Sequence, residues 1–397
     1  MQGQVQAFYT KNSVNRRCFF VRGYAFNLLC FQEKTITLNI DPERPWKHGS
    51  REYDHENSRG KQMSQRVRIV DIAEELGLST ATVSNVIHGK TKKISDETVK
   101  RVQELIEERG YIPSMAGILL AQNSSGIIGV VVNDHQKYEG RALEDAFIAA
   151  AVNALSAEIE RAGLFLMVKT TREREEILRF ASMWNMEGLV LIGFCEEDYA
   201  RLREKMHIPF VIYEGFFSKN ERVSNLLIDN FDGGRQVGAY LRAMGHTRVL
   251  CIADNDICMD AERMAGCRAE MPQGAVDFLC VPMERAGRLR CYEEQLERMR
   301  GYTAVFAASD VYAIELLYFL QGHGLRVPGD ISVVGFDNIG QSAQVFPGLT
   351  TVGQDVGERA RLALAELARL KEAPAGGREI LLPVQLVIRE SVRRIEK

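Results

Sequence analysis

Three short amphipathic runs follow one another between Val67 and Pro113. Ile69, Ile72, Ala73 and Leu76 fall at helical spacing, and Gly77 stops that helix. After the turn Gly77-Leu78-Ser79, Ser79 suits an N-cap. The helix from Thr80 to Ile87 is then predicted to bury Val83, Val86 and Ile87 while turning Thr80, Ala81, Ser84 and Asn85 outward. Ser95 caps a third helix, with Asp96 and Glu97 in its first turn, a stripe of Val99, Val102, Leu105 and Ile106, and Arg109-Gly110 at its end. A small Ala73, a glycine at Gly77 and an apolar Val83 are what a tight interhelical turn needs, so the first two helices read as a helix-turn-helix. Its second helix exposes small hydroxyl and amide side chains, which can lie against base edges without steric conflict.

From Gly126 the pattern changes to short β-rich runs alternating with helical stretches, the signature of parallel sheets covered by helices. The fold class is α/β: a small all-α helix-turn-helix domain followed by a two-lobed sensor of doubly wound parallel sheets. The first lobe spans Gly126 to Ser224. Its strands are Ile127 to Val132, Leu164 to Lys169, Gly188 to Ile192 and Pro209 to Ile212, with a helix from Phe147 to Ala162. The second begins near Asp229 and uses Arg248 to Ile252, Val276 to Val281, Thr303 to Ala307 and Ile331 to Gly335. Leu349 to Asp355 is expected to cross back to the first lobe, whose last helix is Val356 to Leu370, before Glu379 to Glu390 returns.

Ligands of open parallel sheets bind outside the carboxyl ends of the strands. Several strands here run into polar residues: Asn133-Asp134, Asp254-Asn255-Asp256, Ser309-Asp310 and Asp337-Asn338. Any one such pair serves equally well as a cap for the following helix. Their repetition points to a cleft for a small ligand rich in hydroxyl or amine groups.

Charge and cysteine usage narrow the function classes. The net charge of −3 over 397 residues argues against a bulk basic coat for nucleic acid. From Arg66 to Arg109 the bases Arg66, Arg68, Lys90, Lys92, Lys93, Lys100, Arg101 and Arg109 balance the acids Asp71, Glu74, Glu75, Asp96, Glu97, Glu104, Glu107 and Glu108. Placement matters more than sum, and Lys90, Lys92 and Lys93 cluster just after the second helix, where phosphates would lie. The eight cysteines have no zinc-like spacing and read as reduced cytosolic thiols. No apolar run reaches the ~20 residues needed to span a bilayer. His88, His246 and His323 have no partner at metal-ligand spacing, Trp184 is most simply a core residue, and no nucleophile or cofactor motif supports catalysis.

Val67 to Pro113 resembles the amino-terminal domain of the lactose-repressor family of bacterial transcription regulators, on D-I-A-x-x-L-G-x-S-x-A-T-V-S at Asp71 to Ser84. The remainder is similar to that family's periplasmic-binding-protein-like sensor. The matching pieces are Ile228 to Gly234, Met244-Gly245-His246, Ser309-Asp310, Val327 to Asn338, and Leu382-Pro383 through Arg389-Glu390-Ser391. The resemblance implies DNA contacts at Ser79, Thr80, Ala81, Thr82, Ser84, Asn85 and His88, and from a hinge segment at Leu120, the match to a leucine wedged into the minor groove. The hinge departs from the family pattern at Ser114, Gly117 and Ala121-Gln122, and Gly117 lowers helicity by up to ~1 kcal/mol. Effector contacts are implied at Arg263, Asp337, Ser309 and Phe147, the last beside an insertion-like stretch from Asp134 to Glu144.

The expected domains are an unassigned, disordered extension over 1–62, the helix-turn-helix over 63–113, a hinge over 114–125 and the sensor over 126–397. Family members begin a few residues before the helix-turn-helix, so Met63 is the expected start, the alternative being a small accessory arm ahead of it. The expected protein is a cytoplasmic homodimeric repressor, not an enzyme, that binds a double-stranded DNA operator and a small-molecule effector such as a sugar, with no metal, cofactor or membrane. The alternative is a solute-binding protein of a transport system, disfavoured by the helix-turn-helix and by the absence of a cleavable signal ahead of the sensor.

Overall fold

The computed structural model describes residues 18–21, 24–27, 67–112, 125–194, 202–215, 224–373 and 377–396. The expected hinge, with Gly117 and the candidate contact Leu120, lies outside the described residues apart from its last position. The chain divides into two units, Met1–Gln65 and Arg66–Lys397. In the first, β1 (Cys18–Val21) and β2 (Tyr24–Asn27) form an antiparallel pair with Cys18 opposite Asn27 and Val21 opposite Tyr24. Most of the extension expected over 1–62 lies outside the described residues.

The second unit opens with α1 (Ile69–Leu76), α2 (Thr80–Ile87) and α3 (Asp96–Arg109). Each boundary has a local cause. The Arg68 amide donates to Asp71 Oδ2 at 2.8 Å, fixing the start of α1. Gly77, at φ 66°, takes the left-handed conformation that ends it, and the Leu78 amide closes back on the Ala73 carbonyl at 2.9 Å. Ser79 and Ser95 cap α2 and α3 by accepting from the Thr82 and Thr98 amides. Ile72, Ala73, Val83, Val86, Val102 and Leu105 form the buried core of the three helices.

The first lobe is a six-stranded parallel sheet in the order β13-β7-β6-β5-β3-β4. Its strands are β3 (Ile127–Asn133), β4 (Phe165–Thr171), β5 (Gly188–Ile192), β6 (Phe210–Tyr213), β7 (Asn225–Ile228) and β13 (Glu379–Leu382). Alternate residues of β3 enter different cores: Ile128, Val130 and Val132 join one, Ile127 and Val131 the other. Both faces are therefore covered, which is why the strand reads as a continuous apolar run. The helices Ala146–Arg161 and Val356–Glu372 pack together on this lobe.

The second lobe is a four-stranded parallel sheet, β11-β10-β8-β9, from β8 (Val249–Ala253), β9 (Val276–Cys280), β10 (Ala304–Ala307) and β11 (Ser332–Val334). Between the lobes β12 (Thr351–Gln354) and β14 (Val384–Val387) pair antiparallel. Two sequence readings need correction. The strand Asn225–Ile228 was not expected: it is short and begins with an amide rather than an apolar residue. Trp184 is not a core residue, because it ends the helix Arg174–Met183 and stays 43% exposed.

The helices Asn230–Ala243 and Cys258–Glu270 cross at backbone contact. A Cβ at Gly234 would fall 1.9 Å from the Arg263 carbonyl oxygen, and one at Gly266 2.0 Å from that of Phe231. Gly234→Ala should therefore force the helices apart and lower stability by ~1–3 kcal/mol, read as a lower urea midpoint. A midpoint equal to the parent's would show that the crossing tolerates a side chain.

Candidate functional site

On α2, Val83 and Val86 point into the core while Ser79, Thr80, Ala81 and Asn85 are exposed and Thr82, Ser84 and His88 half-buried. The helical period expected from the sequence is thus the one observed. Ser79 Oγ and Thr82 Oγ1 lie 2.9 Å apart and are engaged in the cap, so the outward chemistry rests on Thr80, Ala81, Ser84 and Asn85. His88 ends the helix, its amide donating to the Ser84 carbonyl at 3.0 Å. Lys90, Lys92 and Lys93 are exposed in the loop that follows.

In the sensor, Arg263 lies on the helix Cys258–Glu270 and is only 5% exposed. Its Nε donates to Asn230 Oδ1 at 2.8 Å, its Nη1 donates to the Ala308 carbonyl at 2.5 Å, and its guanidinium stacks 3.7 Å from the Phe336 ring centroid. Those three partners fix the fork. Its Nη2 is directed to Asp337 Oδ1 at 3.9 Å, beyond hydrogen-bond length. Asp337 sits just past β11 at φ 115°, with its amide donating to the Val352 carbonyl at 2.8 Å. Burial pushes its carboxyl well above the usual range, and Asp310 adds to that while Arg263 opposes it.

Residues that the sequence reading missed continue this polar chain. Gln354 Nε2 donates toward Asp337 Oδ1 at 3.4 Å, and its Oε1 accepts from Arg359 Nη1 at 3.1 Å. Arg359, 1% exposed, donates from Nη2 to the Leu226 carbonyl at 2.7 Å, pairs with Glu214 at 3.0 Å and lies 4.3 Å over the Tyr213 ring. Glu214 directly follows β6, so the strand-end rule could have found it. Arg359 gave no such signal, because a lone charge on a helix reads as solvated.

The other expected contacts divide. Ser309 caps the helix Asp310–Gly322, accepting from the Tyr312 amide at 3.4 Å. Asp310 turns inward, accepting from Ser342 Oγ at 2.6 Å, Thr351 Oγ1 at 2.5 Å and the Ile339 amide at 3.0 Å. Burial raises it to about 6 despite those donors. Phe147 is half-buried in the first turn of its helix and packs against the main core. Past β8, Asp254 accepts from the Tyr312 hydroxyl at 2.8 Å, and Asn255 bridges Asp254 to Asp260 at 2.6 and 3.0 Å. Among the described residues no group of three or more His, Cys, Asp or Glu side chains could hold a metal ion.

Two family models match. Residues 68–114 match bacterial regulatory proteins of the lacI family, and residues 239–392 a periplasmic binding protein-like domain. The HTH-type transcriptional repressor PurR of Aliivibrio fischeri (strain ATCC 700601 / ES114) is 31% identical over 347 residues, covering 82% of this chain and 98% of the relative. The HTH-type transcriptional regulator CelR of Thermobifida fusca is 28% identical, covering 81% and 96%. In solved structures, the Lac repressor dimer bound to operator and the anti-inducer ONPF shares the fold with a TM-score of 0.71 at 24% identity, over 83% of this chain and all of that one. A CelR–cellobiose complex gives 0.59 at 25% identity, over 82% and all of that chain. The chain belongs to the lacI family of bacterial regulatory proteins and is a DNA-binding transcriptional regulator.

Proposed function

We propose that this regulator is a cytoplasmic homodimeric repressor without enzymatic activity, whose sensor takes a neutral polyhydroxyl metabolite such as a sugar between Arg263 and Asp337. The observation that carries the reading is the Arg263 fork, held on two nitrogens and one face with Nη2 directed toward a carboxylate. An arginine that donates and a carboxylate that accepts can share adjacent hydroxyls. The CelR structure carries cellobiose, a ligand of that kind. Among the described residues no helix is long and apolar enough to cross a membrane.

Operator contacts come from Thr80, Ala81, Ser84 and Asn85 in the major groove, the cap at Ser79 and Thr82, His88 at the helix end, and Leu120 from the hinge. The domains retain the bounds 63–113, 114–125 and 126–397. Effector alters operator affinity by the difference between its affinities for two arrangements of the lobes.

Three outcomes test this reading. A thermal-shift screen of sugars, read together with operator affinity, should find a ligand whose shift and effect on DNA binding are both abolished by Arg263→Ala. A variant that responds like the parent would remove the cleft from effector sensing. Exchanging Thr80 and Ala81 for other residues should change which operator is preferred, each lost base contact costing ~1–3 kcal/mol. Equal loss on every sequence would make them packing positions.

The third outcome concerns pH. Burial lifts the Asp260 carboxyl to about 6, with Asp254 adding to the shift and Arg263 and Lys137 opposing it. A folded value above the unfolded one means that the stabilisation is fully present below about pH 4 and is lost as pH rises through about 6. Asp260→Asn should abolish this decline and leave the protein on the order of 1–2 kcal/mol more stable at pH 7 relative to pH 4 than the parent. Parallel urea midpoints for parent and variant across that range would count against the shift.

A further inference from the structure

β3 is joined to its helix by an unusually long segment, Asp134 to Asp145, where β4 needs only Arg172-Glu173 and β10 only Ala308-Ser309. The segment is built rather than loose. The Asp134 amide donates to the Thr171 carbonyl at 3.3 Å, and Arg172 Nε donates back to the Asp134 carbonyl. His135 Nδ1 accepts from the Lys137 amide at 3.4 Å, opening a short 3-10 turn over Gln136–Tyr138. Glu139 (φ 52°) and Gly140 (φ 77°) reverse the chain, and the Arg141 amide closes on the Tyr138 carbonyl at 2.8 Å. Ala142 is buried and Asp145 caps the helix Ala146–Arg161.

At its tip the segment reaches the opposite lobe. Glu139 Oε1 accepts from the amide of Arg285, the first residue of the helix Arg285–Met299, at 3.4 Å. The residue ahead of that helix, Glu284, makes no side-chain cap of its own. A carboxylate at a helix amino terminus is favoured both by the open amides and by the helix dipole. Beside Glu139, the Lys137 ammonium stands 5.2 Å from the Tyr138 ring centroid. Its side chain is exposed, and the ammonium is within electrostatic reach of Asp254 and Asp260 on the other lobe.

We propose that Lys137 is a specificity-determining residue of the effector cleft, carried over it by a strap, Asp134 to Asp145, that Glu139 latches to the second lobe. The inference rests on the reading of the cleft as the effector site. The ammonium donates to ligand oxygens from one side while Asp254 and Asp260 face the ligand from the other. An anionic ligand would satisfy Lys137 but be repelled by the two acids, whereas a neutral polyol satisfies both sides. Glu139 is a positioning residue: it acts on ligand only through Lys137 and the closure of the strap.

Two arms on the full chain test this. Millisecond hydrogen exchange should show the amides at the start of the helix Arg285–Met299 exchanging several-fold faster in Glu139→Ala, with Glu139→Gln, which keeps an acceptor oxygen, near the parent. Unchanged exchange in Glu139→Ala, or equal acceleration in Glu139→Gln, would overturn the latch. The second arm uses thermal shift with glucose, ribose, cellobiose, gluconate and glucose 6-phosphate. Lys137→Met should weaken the best neutral sugar by about tenfold or more, with Lys137→Arg recovering part of it. If Lys137→Met binds as the parent does while Arg263→Ala has lost the ligand, the strap contact is wrong and the cleft reading stands. A parent that responds only to gluconate or glucose 6-phosphate overturns the neutral-ligand assignment. A parent that responds to none removes the Lys137 role together with the sugar reading.

Discussion

The sensor depends on keeping one guanidinium charged and oriented where little water reaches it. Taking the Arg263 guanidinium out of water is costly, so its burial has to be offset by partners at fixed positions. The amide oxygen of Asn230, the carbonyl of Ala308 and the face of Phe336 supply them, from three separate elements. Their agreement requires two helices to meet backbone to backbone at Gly234 and Gly266. The glycines thus belong to the site as much as the arginine does, though neither touches it with a side chain.

From Arg263, whose Nη2 is directed to Asp337 across 3.9 Å, the polar groups continue through Gln354 and Arg359 to Glu214. This chain runs from the second lobe, through the crossing strand β12, to the end of β6 in the first. A buried charge deprived of its neighbour is costly. Asp337 and Glu214 are thereby joined through the side chains of Gln354 and Arg359. Asp310 anchors the same crossing from below, binding Ser342, Thr351 and the Ile339 amide at once.

Much of this was legible beforehand because it is periodic. The three amino-terminal helices and most of the parallel strands follow from apolar spacing bounded by caps and turns, and α2 shows the outward face that the spacing implies. What escaped is what periodicity does not encode. Asn225 opens β7 with an amide that pairs with both backbone groups of Gly215, so the strand begins where a turn would be expected. Arg359 and Glu214 are charges taken out of water by each other, whereas a sequence assigns each separately to the surface. Ser309 and Asp310 lie at the right strand end, yet one hydroxyl caps a helix and one carboxylate turns into the core.

The antiparallel pairing of β12 with β14 has a mechanical consequence. Each lobe is a sheet buried on both faces and resists bending, so a turn of one lobe against the other would have to be taken up by the extended chain that joins them. A rigid plate turning about a short pivot moves little near the axis and far at its rim. A turn about β12 and β14 would therefore leave the cleft side chains nearest β12 almost in place while carrying the far ends of the lobes a much greater distance.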